Sequence, residues 1–528
     1  MSQPVSTFQP ITSRSRILPW LAFAALEICG LAVFWVFDAL PFMDLPAHAG
    51  VIALRTAYPG SDFLRQYFVL DPHLGGYSAF RFLGDHLAEW IGPMAAIRTL
   101  ASLPLLALPV AVLYARKRLY GDADPFFAFV ALILCFGFMT VLGFASYMIS
   151  LAVLMIAVTE WLALMAKTDA GEPTISQEAC TAILAALVLV IHGFAVAIFG
   201  FVALITALST GERHRRIFQL RVFVPAALIA GYSLWIERMG TLPDGGVSPH
   251  ASLTPAFQGA LDKLSLLATP ALMTRTGIDI LIAVTLWLIV AGAAVRFYQT
   301  SNTLDSSTTK SRHTQALMAA SASTFLLFLL LPHSIGWFGF VDGRVLPVTI
   351  LTAILTLDTR AVRGRFQSIR LAAVEIGATI SVALALFASS QFQNEANGVS
   401  DVLSKVPARS RLLYFPLEPD SRIFTGHPFV HYDKLILIQR PIVPSDLWFH
   451  QGTAIYPTRI NPNLSLPADF KASNLKSIVW PHYKLEDWDY VLIRIAPDSA
   501  PPQYPDSLSL VIHRGGWWLL HTRTPETK

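Results

Sequence analysis

The sequence predicts a multi-spanning α-helical membrane protein with about 11 transmembrane helices, followed by a C-terminal mixed α/β domain outside the cytoplasm. Composition and hydropathy pattern predict this class. Of the 528 residues, 54% are hydrophobic and only 14% are charged, whereas about one quarter of an average soluble protein is charged. Apolar runs long enough to cross roughly 30 Å of hydrocarbon recur as far as residue 390. We therefore divide the chain into a membrane domain, 1–390, and a second domain, 391–528.

The first apolar run, 17–37, begins the membrane domain. It is longer than the apolar region of a signal peptide and has no small-residue cleavage pattern, so we predict a retained helix. The stretches 125–166 and 179–209 are each predicted as a pair of shorter spans, with interruptions at 144–147 and at 192–193. The remaining runs lie near 91–114, 219–236, 277–295, 316–331, 345–357 and 371–390.

Basic residues between the runs predict the orientation of the helices. The clusters at 116–118, 213–221, 296–312 and 360–370 all fall on the cytoplasmic side if the N-terminus is cytoplasmic and both stretches are paired spans. Cytoplasmic loops carry the excess of Lys and Arg in membrane proteins. This topology predicts a protein of the cell inner (plasma) membrane, with the loop 38–90 and the C-terminal domain outside.

The C-terminal domain is richer in Pro, Asp, Ser and His than the preceding chain. Short apolar segments predict strands at 411–415, 434–438, 490–495 and 508–513. Gly515-Gly516 and the segment 517–521 then predict a hairpin with the last of these strands. The cysteines, Cys29, Cys135 and Cys180, all precede the domain, so we expect core packing alone to stabilise it.

The first external loop, 38–90, begins with two acidic residues, Asp38 and Asp44. Asp44 is placed as the N-cap of a helix with Pro46 in its first turn. His48 and Arg55 then fall on roughly the same helical face as Asp44. A structural role is equally open, in which Asp44 only caps an interfacial helix.

The same loop has two amphipathic segments. In the first, Val51 and Leu54 are expected to lie against the membrane. In the second, Arg81 and Asp85 are predicted to form an ion pair at i and i+4.

A later external turn, 332–344, brings together basic and aromatic residues. His333 and Arg344 are suited to bracket a phosphate, because Arg presents a planar fork of donors. Trp337 offers a surface for stacking against a sugar. The alternative is a structural pair of Asp342 with Arg344 in an aromatic belt.

This arrangement resembles the GT-C superfamily of glycosyltransferases that use polyprenyl-phosphate sugars. The resemblance covers the first helix, the long external loop with its early acid, the short paired spans and the external C-terminal domain. It implies that the acid after the first span is the catalytic base, here Asp44 or Asp38, with Asp44 preferred because Pro46 and His48 flank it. It also implies that Arg344 binds the donor phosphate.

The expected function is inverting transfer of a sugar from a polyprenyl-phosphate carrier to a glycan or lipid acceptor of the cell envelope, at the outer face of the membrane. Two alternatives remain. An envelope polysaccharide polymerase or ligase usually has its site in a long late loop, whereas the longest internal loop here is the first. A secondary transporter predicts paired ionisable residues within the spans and symmetric halves.

Several motifs are absent from the sequence, among them Walker, Rossmann and HExxH motifs. The first external loop contains no Asp-x-Asp, and the one that precedes a predicted strand, Asp487-Trp-Asp489, lies in the C-terminal domain. We therefore expect no cofactor, no divalent metal and no nucleic-acid partner. The sequence leaves the oligomeric state open.

Overall fold

The structure is a computed structural model that describes residues 14–71, 73–209, 213–239, 254–301, 308–336, 338–357, 365–449, 453–467, 470 and 472–523. Helices occupy most of the chain as far as residue 395, and a sheet follows. The α-helices are α1 (Arg14–Trp35), α2 (Leu45–Ala57), α3 (Asp62–Tyr67), α4 (Ser78–Ile91), α5 (Pro93–Tyr120), α6 (Pro125–Cys135), α7 (Phe138–Val141), α8 (Ala145–Ala170), α9 (Ile175–Ile191), α10 (Gly193–Ser209), α11 (Arg213–Phe218), α12 (Val224–Met239), α13 (Ala260–Ser265), α14 (Ile278–Ser301), α15 (Thr309–Leu330), α16 (Leu346–Leu355), α17 (Arg365–Glu395) and α18 (Val399–Leu403).

The apolar helices match the predicted membrane domain. Within the described ranges, 7 are long and apolar enough to cross a membrane, and four shorter apolar helices accompany them. Both stretches are interrupted: 179–209 at His192, as predicted, and 125–166 at 136–144 rather than at 144–147, because α8 already begins at Ala145. The multi-spanning helical class is confirmed, and the direction of each helix across the membrane stays a prediction. The long helices are Ile17–Trp35, Pro93–Tyr120, Ala145–Ala170, Arg213–Ile236, Ile278–Thr300, Thr309–Leu330 and Ser368–Glu395.

The interruption between α6 and α8 supports the start of the first external loop. The backbone N–H groups of Met43 and Asp44 donate to the carbonyls of Val141 (2.9 Å) and Leu142 (3.1 Å). Gly143 follows with φ +77°, and a Cβ atom there would lie 2.7 Å from the Asp44 nitrogen. This close backbone approach requires glycine, both for its conformation and for its lack of a side chain.

The first external loop forms α2, α3 and α4, so both predicted amphipathic segments are helical. The expectation that Val51 and Leu54 face the membrane is wrong, because both side chains are buried in the protein core. One face of α2 packs on a 3₁₀ helix, Tyr432–Ile438, of the C-terminal domain. A Cβ atom at Gly50 would lie 2.8 Å from the carbonyl oxygen of Lys434, so the two helices touch backbone to backbone.

The C-terminal domain is built on a five-stranded mixed sheet with the order β5-β4-β7-β9-β8. Strand β4 is parallel to β5 and β7, and β9 is antiparallel to β7 and β8. The predicted hairpin at Gly515 is confirmed, with φ +55° at that residue. The strands are β1 (Phe68–Leu70), β2 (Pro255–Ala256), β3 (Ser334–Ile335), β4 (Arg411–Pro416), β5 (Val443–Pro444), β6 (Ile455–Pro457), β7 (Tyr490–Arg494), β8 (Leu508–Arg514) and β9 (Trp517–Thr522).

The strand predicted at 434–438 is wrong, since these residues belong to the 3₁₀ helix Tyr432–Ile438. Its side chains are buried on more than one side because the helix lies between the domain and α2. An apolar run buried on several sides does not reveal its secondary structure by periodicity.

The C-terminal domain is joined to the first external loop by a second, two-stranded sheet. Strands β1 and β6 pair antiparallel, with Phe68 opposite Pro457 and Leu70 opposite Ile455. The Tyr432 hydroxyl also donates to the carbonyl of Leu40 at 2.8 Å. The loop that carries Asp44 is therefore held between the membrane helices and the C-terminal domain.

Candidate active site

Asp44 occupies the N-cap position of α2, as predicted, but its side chain makes no capping hydrogen bond. Its backbone has φ −89° and ψ −13°, a conformation unlike the extended one typical of capping residues. Pro46 lies in the first turn and removes one N–H that would otherwise need a partner. The Asp44 carboxylate therefore does not cap α2 and is available for another role.

Burial and two neighbouring side chains, Arg344 and His431, make up the surroundings of the Asp44 carboxyl. Its side chain is only 13% exposed, and this burial raises its pKa to about 7, while the positive charge of Arg344 acts in the opposite direction. Nε2 of His431 lies 3.8 Å from Oδ1 of Asp44. A carboxyl with a pKa near 7 is partly ionised at neutral pH, which suits a group that accepts a proton.

Arg344 lies in a short 3₁₀ turn before α16 and is 4% exposed. Its guanidinium carbon is 4.1 Å from the centres of both the Phe144 and Phe338 rings. Nη1 lies 3.0 Å from Nε2 of His192, and Nη2 donates to the carbonyl of Gly339 at 3.1 Å. Among the residues that the structure describes, Nε has no hydrogen-bond partner, so one donor of the fork is left for a ligand.

His192 joins Arg344 to the first external loop. Its Nε2 lies 3.0 Å from Nη1 of Arg344 and 3.1 Å from the hydroxyl of Tyr77. Because arginine only donates, Nε2 must accept, and the ring proton of neutral His192 therefore resides on Nδ1. Tyr77 has a left-handed backbone, φ 72°, immediately before α4. The break between α9 and α10 thus connects α4 with α16.

His333 and Arg344, predicted to bracket one phosphate, have separate partners. Nδ1 of His333 lies 3.0 Å from Oδ1 of Asp342, and Nζ of Lys263 lies 3.4 Å from Oδ2 of the same carboxyl. Asp342 was the alternative structural partner of Arg344, but its buried carboxyl serves His333 and Lys263 instead. The ring of Phe340 stands edge-on to His333 at 4.6 Å.

His48 lies one turn after Asp44 in an aromatic cluster that includes the C-terminal domain. Its ring is edge-on to Phe80 and to Trp448, with centroids 5.2 Å away in each case. Trp448 in turn stands edge-on to His431 at 5.0 Å. The cluster places side chains of both external segments beside the Asp44 carboxyl.

Arg55 has a structural role in the described contacts. It forms an ion pair with Asp85 at 2.5 Å and donates to the carbonyl of Thr453 at 3.1 Å. The predicted pair of Arg81 with Asp85 is therefore wrong, and Arg81 donates to the carbonyl of His73 at 2.9 Å. The i, i+4 spacing did not predict the partner, because the Asp85 side chain points toward Arg55 of α2 and not along α4 toward Arg81.

Asp38 lies just after α1 and is exposed. Its backbone carbonyl accepts a hydrogen bond from Arg98 at 3.0 Å. Trp337, proposed to stack against a sugar, lies outside the described residues. The structure thus brings Asp44, His48 and Arg344 into one region and places Asp38 on the surface.

Three neighbours of Asp44 and Arg344 were not among the predicted site residues: Tyr77, His192 and His431. His192 had a signal, the His-Gly break within an apolar run. Tyr77 and His431 had none, because their contacts depend on how distant segments fold together.

Side chains that could bind a metal ion were compared with the sequence prediction. Within the described ranges, no cluster of three or more His, Cys, Asp or Glu side chains is arranged to hold a metal ion. The Asp-x-Asp of the C-terminal domain has structural partners, since Asp489 pairs with Arg411 at 2.7 Å and Asp487 accepts from Ser465 at 2.8 Å.

Solved structures share this architecture. A crystal structure of ArnT from Cupriavidus metallidurans bound to undecaprenyl phosphate aligns with a TM-score of 0.58 and 12% identity, over 96% of this chain and 98% of that one. The arabinofuranosyltransferase AftD from Mycobacteria aligns at 0.51 with 14% identity, over 98% of this chain and 40% of AftD. The apo oligosaccharyltransferase from Archaeoglobus fulgidus aligns at 0.50 with 11% identity, over 91% and 70%.

Sequence comparisons add no relative, since no family model and no curated protein sequence matches the chain. The structural likeness extends over nearly the whole chain, including the multi-pass membrane domain and the C-terminal sheet. The chain therefore has the fold of GT-C superfamily glycosyltransferases, and the predicted resemblance is confirmed at the level of fold.

Proposed function

We propose that the protein is an inverting membrane glycosyltransferase. It takes a sugar from a polyprenyl-phosphate carrier and transfers it to a glycan or lipid acceptor of the cell envelope, at the outer face of the membrane. The observation that carries the proposal is a buried carboxyl, Asp44, whose pKa is raised by burial and lowered by the charge of a nearby buried cation, Arg344. The shared fold with ArnT and AftD supports the reaction class.

In the proposed reaction, ionised Asp44 accepts the proton of the acceptor hydroxyl as that oxygen bonds to the anomeric carbon. The bond between that carbon and the phosphate oxygen breaks on the opposite face, and the lipid phosphate leaves with the electron pair. Inversion follows from this single displacement. The charge that develops on the leaving phosphate is stabilised by Arg344, so the scheme requires no metal ion.

The donor assignment rests on the unpartnered Nε of Arg344 and on the neighbouring aromatic rings. A phosphate oxygen accepting from Nε would form a charge-assisted hydrogen bond, stronger than a neutral one. ArnT was solved with undecaprenyl phosphate bound, and we transfer that class of lipid to this chain as part of the proposal. His192 holds the guanidinium in place from the other side.

Asp44→Asn tests the role of the base. Since Asn keeps the size but cannot take up the proton, we expect sugar transfer from a polyprenyl-phosphate donor to fall by roughly 10²–10⁴-fold. The matched control is Asp38→Asn, which changes the exposed acid of the same loop. Transfer is measured with purified protein in nanodiscs.

The thermal midpoint shows whether the Asp44→Asn protein is folded. Burial makes the ionised form of Asp44 unfavourable, so stability falls as pH rises from about 4 to 7. Asn lacks that cost, and we expect the variant to be at least as stable as the unchanged protein at pH 8. Full activity of a well-folded Asp44→Asn protein would remove Asp44 from the mechanism.

A further inference from the structure

A cleft of about 1160 Å³ lies where the C-terminal domain meets the end of α17. Asn394 and Glu395 contribute from α17, and Arg275 contributes from the segment before α14. The other lining residues belong to the C-terminal domain and include many charged and hydroxyl side chains. Sites for small molecules usually measure roughly 300–1,000 Å³, so this cleft has room for a large polar ligand.

Arg494, at the end of β7, lines the cleft and is only 3% exposed. Its guanidinium carbon lies 4.5 Å from the centre of the Phe429 ring and 5.2 Å from that of Trp517. Nε and Nη1 are buried and have no hydrogen-bond partner in the part of the chain that the structure describes. A Cβ atom at Gly516 would lie 2.3 Å from Nη1, so the glycine of the hairpin makes room for the guanidinium.

Buried donors without a partner are costly in a folded protein. The acidic side chains of the cleft, Glu395, Glu418 and Asp420, each accept a hydrogen bond from another group, although Oε2 of Glu395 is buried without a partner among the described residues. Their partners are the Arg422 backbone N–H for Glu395 (3.0 Å), the Ser499 hydroxyl for Glu418 (2.7 Å) and the His427 ring for Asp420 (2.5 Å). A bound anion would give the Arg494 donors their missing acceptor.

Three further cations line the cleft, and one of them, Arg275, lies 3.8 Å from Asp420 and donates through Nε to the carbonyl of Phe424. Lys476 lines it with an exposed side chain. Arg422 also lines it and pairs with Asp498, but both side chains are about two-thirds exposed. Such surface pairs contribute little and exchange readily with solvent or ligand. Besides Arg275, the cleft therefore offers one buried cation, Arg494, and two exposed ones, Lys476 and Arg422, to an anionic group.

The cleft is connected to Asp44 by a short segment. His427 lines the cleft, and His431 lies beside Asp44. Four residues of chain span at most about 14 Å, so the cleft lining at His427 and the neighbour of Asp44, His431, lie no farther apart than that. Phe429, between the two histidines, contacts Arg494.

We propose that the cleft binds an anionic substituent, a carboxylate or a phosphate, of the acceptor saccharide. The assignment rests on the proposed function, because it takes the ligand to be the acceptor. Arg494 supplies the buried donors, and Lys476 and Arg422 supply charge at the mouth. The many polar side chains of the cleft suit the hydroxyl groups of sugar rings.

The test measures binding to the full-length protein in phosphatidylcholine nanodiscs by calorimetry. The probes are glucose 6-phosphate, glucuronate and neutral glucose. We expect both anions to bind, and glucose to bind about tenfold more weakly or not at all. Arg494→Met and Lys476→Met should each weaken binding of the anions, the first by about tenfold. Arg459→Met, at an exposed arginine outside the cleft lining, should leave it unchanged.

Lys476→Met keeps the test valid if Arg494→Met does not fold, because Lys476 is exposed. Equal binding of glucose and glucose 6-phosphate, or unchanged binding in both cleft variants, would overturn the proposal. Nanodiscs with phosphatidylglycerol distinguish the source of the anion. If that lipid abolishes sugar-phosphate binding, the cleft holds a lipid headgroup and the saccharide assignment fails.

The binding readout also separates this inference from the proposed function. Asp44→Asn should bind glucose 6-phosphate as the unchanged protein does, while losing transfer. Transfer without any binding of the anions would refute the cleft assignment and leave the function intact. Anion binding through Arg494 in a protein that transfers no sugar would refute the acceptor assignment and the function together, leaving only an anion site.

Discussion

At Asp44, burial and the charge of Arg344 act on one carboxyl in opposite directions. Burial disfavours the ionised form, and the nearby guanidinium favours it. Burial has the larger effect, so the pKa is raised to about 7. If the charge of Arg344 had the larger effect, the pKa of Asp44 would be low, and the carboxylate would be ionised at neutral pH but weakly basic. If burial acted alone, the pKa would be higher still, and Asp44 would be protonated at neutral pH. The balance places the change of charge near neutral pH, where a base is most useful.

This balance predicts the pH dependence of transfer. Because the ionised form is the one that accepts the proton in the proposed reaction, transfer should rise as pH increases through about 7, with half of the maximum near that value. Arg344→Met removes the favourable charge, so the remaining activity should reach half of its maximum at a higher pH. Arg409→Met, which removes an exposed partner of Asp62, should leave the midpoint unchanged. An unchanged pH midpoint of transfer in Arg344→Met would contradict an effect of the Arg344 charge on the pKa of Asp44.

At the same scale, the sequence predicted some site residues and could not predict others. Asp44 was recognisable because a proline two residues later and an apolar helix before it are local features. His431 lies close to Asp44 although the two residues are far apart in the sequence, and the residues next to His431 in the sequence do not indicate that contact. His333 shows the opposite failure, since its neighbour Asp342 provides the closer charge and determines its pairing.

At the scale of elements, the turn 136–144 determines where α2 begins. It receives two backbone hydrogen bonds from the Asp44 segment and offers Gly143 at the contact. The sequence predicted a break in this stretch, because a single helix would have reversed the later basic loops. That the break contacts Asp44 was not predictable, since hydropathy contains no information about which turn meets which loop.

Gly143→Ala tests the importance of this contact. The new Cβ atom would lie 2.7 Å from the Asp44 nitrogen and 3.0 Å from its Cβ, so Asp44 must shift. We expect transfer to fall by about 10²-fold, the scale of a displacement near 1 Å. Gly121→Ala is the matched control, because Gly121 has the same φ, +77°, and a Cβ atom there would meet nothing within 4 Å. Equal losses in both variants would show that only backbone strain matters.

At the scale of the whole molecule, the C-terminal domain forms one wall of the candidate site. His431 and Trp448 reach the region of Asp44 from this domain, and β6 pairs with β1 of the first external loop. The membrane helices and the sheet were each predictable, because hydropathy and alternation are local properties. The docking of the sheet on the helices was not predictable, because it depends on buried surfaces. One of these is the face of α2 that was expected from the sequence to lie against the membrane.

Arg55→Met tests the docking. The side chain links Asp85 of α4 to the carbonyl of Thr453 in the C-terminal domain, and its removal leaves a half-buried carboxylate without its partner. We expect hydrogen exchange at β1 and β6 to increase and transfer to fall by about tenfold. Arg65→Met is the control, because the hydrogen bonds of Arg65 to described residues stay within its own loop, to the Pro59 carbonyl at 2.5 Å and the Tyr58 carbonyl. Unchanged exchange at β6 in Arg55→Met would contradict a docking role.

The contact of Arg55 with Thr453 also has a consequence for biosynthesis. The two residues are 398 positions apart in the chain, and a ribosome adds about 5–20 residues per second. Thr453 is therefore synthesised roughly 20–80 s after Arg55. During that interval the first external loop is already made, while its partner strand does not yet exist. The wall that surrounds Asp44 can be completed only after Thr453 has been synthesised, so a nascent chain that has inserted its first helices still lacks a finished candidate site.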